Sequence, residues 1–301
     1  MLNFKYKENL CSNFLRAQIM IIWIASYPKS GNTWVRSLLA HYFFSKSEKF
    51  NFDLLKHIPN FNTADFLDNK NPIKSNDDII RSWVPVQKFI HEKFKRNLFF
   101  KTHNVCVTSK GEKFTNNEVS AGCIYVVRDP RNVITSYKNF ENQTYENIIR
   151  NMIDEEGFLL SNKSTFEKFG IKGIEVISSW ARHYNSWVHN NTNIPICLIK
   201  YEDLVENPSL EFNKIFDFLK KINNEKKTEI NKEKLEKTIS QTDFKNLKDL
   251  ENNNGFSEKQ NRKVNFFNQG IENDWKKILP NNISSIIERK FEREMKELGY
   301  L

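Results

Sequence analysis

The chain has little cysteine, little glycine or proline, and no long apolar run. Its four cysteines, Cys11, Cys106, Cys123 and Cys197, lie far apart and form no C-x-x-C pair. That spacing excludes a thiolate zinc site and a dense disulfide framework, and no metal is expected. Small buried hydrophobes in a reducing compartment are the role it suits. Nine glycines and eight prolines in 301 residues exclude a collagen-like or Pro/Gly-rich disordered chain. No apolar stretch reaches the roughly 18 residues of a membrane-spanning helix. Residues 1–18 carry Lys5, Lys7, Glu8 and Arg16, and the short apolar run after them reads as a first strand rather than a signal segment. A cytoplasmic protein without a membrane span is expected. A one-sided charge pattern is missing too. The formal net charge is +9, yet Lys and Arg are interleaved with Asp and Glu and form no basic stripe, which argues against a nucleic-acid partner.

What is present is globular. Hydrophobic residues make up 39% of the chain and 25 of them are Phe, enough for one large core. Short apolar runs recur at 19–25, 98–101, 123–127 and 196–199, each a buried-strand candidate, with helical patterns between them. The spacing predicts an α/β fold: a central parallel sheet flanked by helices. Helices are expected at Asn32–Phe44, Asn132–Phe140, Glu175–Asn190, Pro208–Leu219 and Pro280–Leu298. Asn223–Lys237 reads as a charged helix or linker, and 252–264 as a mobile loop. Residues 46–96 and 141–172 look like insertions over the carboxyl edge of the sheet, where open α/β folds bind ligands. No internal repeat interrupts a single domain over 1–301.

The first apolar run leads directly into Ser26-Tyr27-Pro28-Lys29-Ser30-Gly31-Asn32-Thr33-Trp34. Strand, tight turn and helix is the layout of a phosphate-binding loop, whose helix N-terminus offers free N–H groups to an anion. The triphosphatase pattern G-x-x-x-x-G-K-[ST] does not fit it. Laid over Ser26 to Thr33, its lysine position is Asn32, and the lysine sits earlier, at Lys29. A second strand–turn–helix motif runs from Tyr125 through Arg128-Asp129-Pro130-Arg131 to Ser136-Tyr137. Arg128 at a strand end and Ser136 about two helical turns later can clamp an anion by fork and hydroxyl.

Together, Y-P-K-S-G-x-T-W and, about a hundred residues on, V-V-R-D-P-R-x-V-x-x-S-Y resemble the soluble sulfotransferases, from about Trp23 to the C-terminus. The resemblance implies a P-loop-like three-layer fold. It also implies transfer of a sulfuryl group from 3′-phosphoadenosine 5′-phosphosulfate (PAPS) to an acceptor hydroxyl or amine, without a metal. By that pattern Lys29 with Ser30, Gly31, Asn32 and Thr33 holds the 5′-phosphosulfate, and Arg128 and Ser136 hold the 3′-phosphate. Lys29 offsets charge on the bridging oxygen as the S–O bond breaks. Trp34 is either packing or a wall of the adenosine pocket.

Lys101-Thr102-His103 resembles the family's K-T-H element, which implies His103 as the general base and Lys101 as added charge. A lone histidine is more often structural; the order between the two motifs reverses that expectation for His103 alone. His41, His57, His91, His183 and His189 read as structural or surface. Tyr201, in Tyr201-Glu202-Asp203-Leu204, resembles the family tyrosine near the adenosine; Glu202 and Asp203 read as helix-start charges. Thr242 and Phe244 resemble a T-x-F segment on the adenine, and Trp180 reads as core.

One departure is clear. Where the family has F-x-R-K-G-x-x-G-D-W, this chain reads Phe266-Phe267-Asn268-Gln269-Gly270 and then Asp274-Trp275. The frame survives, with Gly270 in place, but two charges on the 3′-phosphate side are gone, which costs roughly 1.5–3 kcal/mol per lost contact if nothing replaces them. Arg262-Lys263 or Arg131 are the expected replacements. The departure keeps a non-catalytic nucleotide-binding protein as an alternative, and the loop layout keeps a Mg-dependent phosphotransferase as another. The acceptor is a small molecule, lipid or carbohydrate. Phe50, Phe52, Phe61, Phe66, Trp83 and Phe89 form either an apolar acceptor pocket or simple core. Oligomeric state is open.

Overall fold

The computed structural model describes residues 20–67, 73–94, 97–160, 163–189, 193–259, 264–270 and 273–301. Arg262, Lys263 and Cys11 lie outside the described residues. The strands are β1 (Ile21–Ser26), β2 (Leu98–Thr102), β3 (Ser120–Val127), β4 (Phe158–Leu160), β5 (Ile174–Val176) and β6 (Ile196–Lys200). Four of them form one parallel sheet in the order β2-β1-β3-β6. All six residues of β1 are buried, as a central strand covered on both faces requires.

Alternation along the strands divides the core in two. Trp23, Phe100, Cys123 and Tyr125 point to one face and Ile22, Ile24, Phe99 and Ile124 to the other. The second face is covered by α1 (Asn32–Phe44), through Val35, Leu38 and Leu39. The first is covered in part by α2 (Asn76–Arg81) and α3 (Trp83–Lys93), with Trp83 and Val86 buried. The same face receives α4 (Pro130–Glu141), α5 (Tyr145–Ile153) and, beyond α6 (Lys163–Phe169), α7 (Trp180–Val188). The chain then runs through α8 (Tyr201–Glu206), α9 (Pro208–Ile222), α10 (Lys232–Gln241) and α11 (Phe244–Asn254) on the second face. It ends with α12 (Trp275–Ile278), α13 (Asn281–Lys290) and α14 (Glu292–Glu297).

The four expected core strands form where the apolar runs lie, and the sheet is parallel as predicted. Three helix boundaries differ for local reasons. The helix expected from Glu175 starts only at Trp180, because Ile174–Val176 pairs antiparallel with Phe158–Leu160. Ser178 has φ 57°, which breaks the chain direction, and Ser179 then caps α7 by accepting from the Arg182 N–H. The expected terminal helix is split at Phe291, whose buried ring packs 5.2 Å from Trp180. Asn231 caps α10, so the charged stretch before it is not helical up to Lys232. Of the stretch expected as a mobile loop, the described residues 252–259 are anchored. Asn252–Asn254 belong to α11, and Phe256 is buried 4.5 Å from Phe52.

The carboxyl ends of β3 and β6 are tied together by polar contacts. The Asp129 N–H after β3 donates to Glu202 after β6, and the Tyr300 hydroxyl donates to the other Glu202 oxygen. Glu202 is thus a cross-tie, a role beyond the helix-start charge expected of it. Among the described residues no helix is long and apolar enough to cross a membrane.

Candidate active site

At the carboxyl edge of the sheet lies a cavity of about 1120 Å³. Each strand delivers a group to it: Lys101 and His103 from β2, the Pro28–Thr33 turn from β1, Arg128 from β3 and Tyr201 from β6.

The turn after β1 is shaped by two left-handed residues, Lys29 (φ 67°) and Gly31 (φ 100°). This conformation turns successive N–H groups inward, and the N–H groups of Asn32 and Thr33 at the start of α1 have no intrahelical acceptor. Asn32 pins the turn to its strand: its side-chain amide donates to the Ile24 carbonyl at 3.0 Å and the Ser26 hydroxyl at 3.2 Å. At the position of a triphosphatase lysine this chain therefore has a structural amide. The Tyr201 ring lies against Gly31, where a Cβ would fall 2.5 Å from it, and meets Trp34 edge-on at 5.8 Å.

Arg128 is 6% exposed. Its guanidinium lies 4.0 Å over Tyr201 and donates at 3.4 Å to the carbonyls of Lys29 and Gly270. Its Nε has no partner among the described residues. Ser30 Oγ, Asn32 Oδ1 and Trp34 Nε1 are buried without partners as well. Orphaned polar atoms gathered around one turn are costly unless a ligand satisfies them. Together with the buried Arg128, which has no ion-pair partner among the described residues, they fit a polyanionic nucleotide.

The Lys29 ammonium lies 3.8 Å over Phe140 and 4.3 Å over Phe266. Burial, then Arg128 and Lys101 nearby, push its pKa down to about 7. Lys101 pairs with Glu258 at 3.3 Å, and Glu258 pairs with Arg36 at 2.7 Å. Arg36 is 2% exposed and also donates to the Ile58 carbonyl. Burial alone would raise the Glu258 carboxyl, but Arg36 and Lys101 hold it well below the usual range.

His103 Nδ1 donates to the Ser26 carbonyl at 2.7 Å, which leaves Nε2 as the nitrogen with a lone pair. Burial, then Lys101, hold its pKa well below the ordinary value, so the ring is neutral at pH 7. Its backbone is held twice: its N–H donates to Glu175 at 3.4 Å, and its carbonyl accepts from His183 Nε2 at 3.1 Å. His183 accepts in turn from Tyr125, and burial pushes its pKa down to about 3. This histidine, structural by sequence, supports the candidate base. Glu175, Glu258 and Arg36 carried no sequence signal.

Of the expected site residues, Lys29, Gly31, Asn32, Thr33 and Trp34 line the cavity. So do Lys101, His103, Arg128, Ser136, Tyr201, Phe244 and Gly270. Ser30, within the turn, is buried. Thr242 is not brought to the cavity: it is fully buried and its hydroxyl donates to the Thr238 carbonyl. Arg131 is not a spare charge. Asp129 grips it, Glu288 and the Tyr300 carbonyl each hold it at 2.7 Å, and it stacks 3.9 Å from Trp275. The six aromatics weighed as an acceptor pocket do not line the cavity: Phe50, Phe61 and Trp83 are core and Phe89 is exposed. Phe140 and the hairpin residues Leu159 and Leu160 are among the apolar residues that do line the cavity, as are the polar Asn60 and Glu175.

A family profile described as "Sulfotransferase domain" matches residues 21–299. The chain belongs to the sulfotransferase family. It is 26% identical to the rabbit (Oryctolagus cuniculus) amine sulfotransferase over 286 residues, 92% of this chain and 81% of that protein. It is 28% identical to dog (Canis lupus familiaris) sulfotransferase 1B1 over 270 residues, 85% of this chain and 76% of that one. Arabidopsis thaliana cytosolic sulfotransferase 17 is 22% identical over 302 residues, 96% and 78% of the two chains. Among solved structures, the fold is similar to mouse sulfotransferase SULT7A1 complexed with PAP, with TM-score 0.56 at 16% identity over 93% of this chain and 84% of that one. It is also similar to retinol dehydratase in complex with retinol and PAP, with TM-score 0.54 at 13% identity over 95% and 84%. The α/β fold read from the spacing of apolar runs is the fold of these sulfotransferases.

Two substitutions test how the site is held. Gly31→Ala is expected to cost about 1–3 kcal/mol, from the left-handed backbone and the Tyr201 contact, read as a lower denaturant midpoint. Glu258→Gln removes one partner of a buried charge cluster and is expected to cost roughly 3 kcal/mol at pH 7. The Glu258 carboxyl is depressed from its ordinary 4.5, so its stabilisation is full above that value and lost as pH falls through the folded one. The stability gap between wild type and variant should therefore shrink below pH 4.5. A pH-independent gap would contradict this assignment.

Proposed function

We propose that this sulfotransferase-family enzyme transfers a sulfuryl group from PAPS to an acceptor hydroxyl or amine, with His103 as general base. The observation that carries the reading is the neutral His103, its Nε2 unprotonated, beside a buried and under-compensated cationic turn. PAPS supplies the activated sulfuryl group. The solved relatives named above were complexed with PAP, which supports the donor assignment.

In this reading the N–H groups after Lys29 hold the 5′-phosphosulfate, and Arg128 with Ser136 holds the 3′-phosphate. Trp34, Tyr201 and Phe244 wall the nucleoside. His103 takes the acceptor proton at Nε2 as the acceptor atom bonds to sulfur. The bond from sulfur to the phosphate oxygen breaks, and Lys29 offsets the charge left on that oxygen. Positioning and charge complementarity carry the rate, as in phosphoryl transfer, and no metal is required. Lys101, tethered by Glu258, steadies charge beside His103. The acceptor meets Phe140, Leu159 and Leu160 on its apolar side and Asn60 and Glu175 on its polar side, which suits a small molecule with both characters.

Transfer of radiolabelled sulfur from PAPS to phenol, amine and sugar acceptors, without metal, tests the proposal. His103→Gln is expected to lower turnover by roughly 10²–10⁴-fold while leaving PAP binding intact. Transfer unaffected by that change would contradict the base assignment. The two pKa directions also set a pH profile. Lys29 loses its proton near pH 7, so kcat/KM for the donor should fall above that value. His103 stays neutral well below its ordinary 6.5, so the acid limb should lie well below 6.5.

A further inference from the structure

The segment Asn268–Gly270 has lost the two positive side chains that the sequence motif leads one to expect, yet it is not without cations. Gly270 (φ 53°) rests on the face of Phe244, where a Cβ would fall 2.5 Å from the ring. Phe244 opens α11, and Lys248 lies four residues later on the same helix face. The Lys248 ammonium donates to the Asn268 carbonyl at 3.2 Å. Arg128 in turn donates to the Gly270 carbonyl at 3.4 Å. Two residues separate these carbonyls, so at most about 7 Å lies between them. Lys248, Asn268, Gly270 and Arg128 all line the same cavity. Among the described residues no carboxylate pairs with Lys248 or with Arg128. Backbone carbonyls are weak partners for two full charges, and a dianion between them would make charge-assisted bonds to both.

Of the expected replacement cations, Arg262 and Lys263 lie outside the described residues and Arg131 is committed elsewhere. Arg131 is held by Asp129, Glu288 and the Tyr300 carbonyl. The Gln269 amide is used too, accepting from Asn139 at 3.1 Å.

We propose that Lys248, reaching over from α11, is the second cation of the 3′-phosphate cradle and takes over the charge missing at Asn268-Gln269. The assignment rests on the donor reading given above. It makes Lys248 a specificity residue: it separates nucleotides with a 3′-phosphate from those without one.

The test titrates the full chain, at one fixed salt concentration, with adenosine 3′,5′-bisphosphate and with adenosine 5′-monophosphate. Wild type, Lys248→Met and Lys248→Arg are compared, each with its thermal unfolding curve. The assignment predicts that Lys248→Met weakens the bisphosphate roughly tenfold or more and leaves the monophosphate within about twofold, with Lys248→Arg restoring most of the loss. Equal loss for both nucleotides, or no loss for either, overturns the role of Lys248 and leaves the donor reading standing. A wild-type chain that does not prefer the bisphosphate overturns both.

Discussion

Three cations, Lys29, Lys101 and Arg128, meet at the carboxyl ends of three adjacent strands and line one cavity. Their mutual repulsion is the constraint around which the rest of the structure is arranged. Each is accommodated differently. Lys101 has Glu258, which Arg36 steadies from α1. Arg128 has the Tyr201 face and two carbonyls. Lys29 lies over the rings of Phe140 and Phe266, and the charges of Glu141 and Glu251 act on it too weakly to offset burial and its cationic neighbours, so it gives up its proton readily. A site so arranged suits an anion, and under the proposed function a polyanionic nucleotide supplies the opposing charge.

The scaffold keeps these groups from relaxing away from one another. Parallel strands place their carboxyl ends on one edge, and Glu202 joins the turns after β3 and β6 through Asp129 and Tyr300. The segment after Gly270 is stapled to α4: Asn273 exchanges hydrogen bonds with Thr135 and Asn132, and the Trp275 N–H donates to Asn132. Glu251 accepts from the N–H groups of Phe266 and Phe267, which fixes one ring of the lysine cage. His103 is fixed by partners from β1, β5 and α7. Preorganisation of this kind holds one neutral imidazole in place beside a cluster of charge.

Much of this was legible in the sequence because local pattern and local role coincide there. The turn after β1, the Arg128 turn and the strand end bearing His103 are contiguous motifs, each with a strand before it. What stayed hidden depends on contacts distant in sequence. Glu258 lies 157 residues from Lys101 and 222 from Arg36, so nothing local marks it as a counter-charge. The β4–β5 hairpin was masked because Ile174–Val176 is too short to show a period of two against the helix that follows. Arg131 resembled a spare charge in the motif, and only its packing shows that Asp129 and Glu288 use it fully. Thr242 failed for the opposite reason: its match was local, but its hydroxyl closes the end of α10.

The most direct measurement is calorimetry of PAP binding at pH 8, without metal, in buffers of different ionisation enthalpy. Free Lys29 is mostly neutral at that pH, and a bound anion restores its proton. The account predicts binding with uptake of about one proton per site, and no uptake in Lys29→Met. Binding without uptake would remove Lys29 from the anion site, and absence of binding would contradict the donor reading itself.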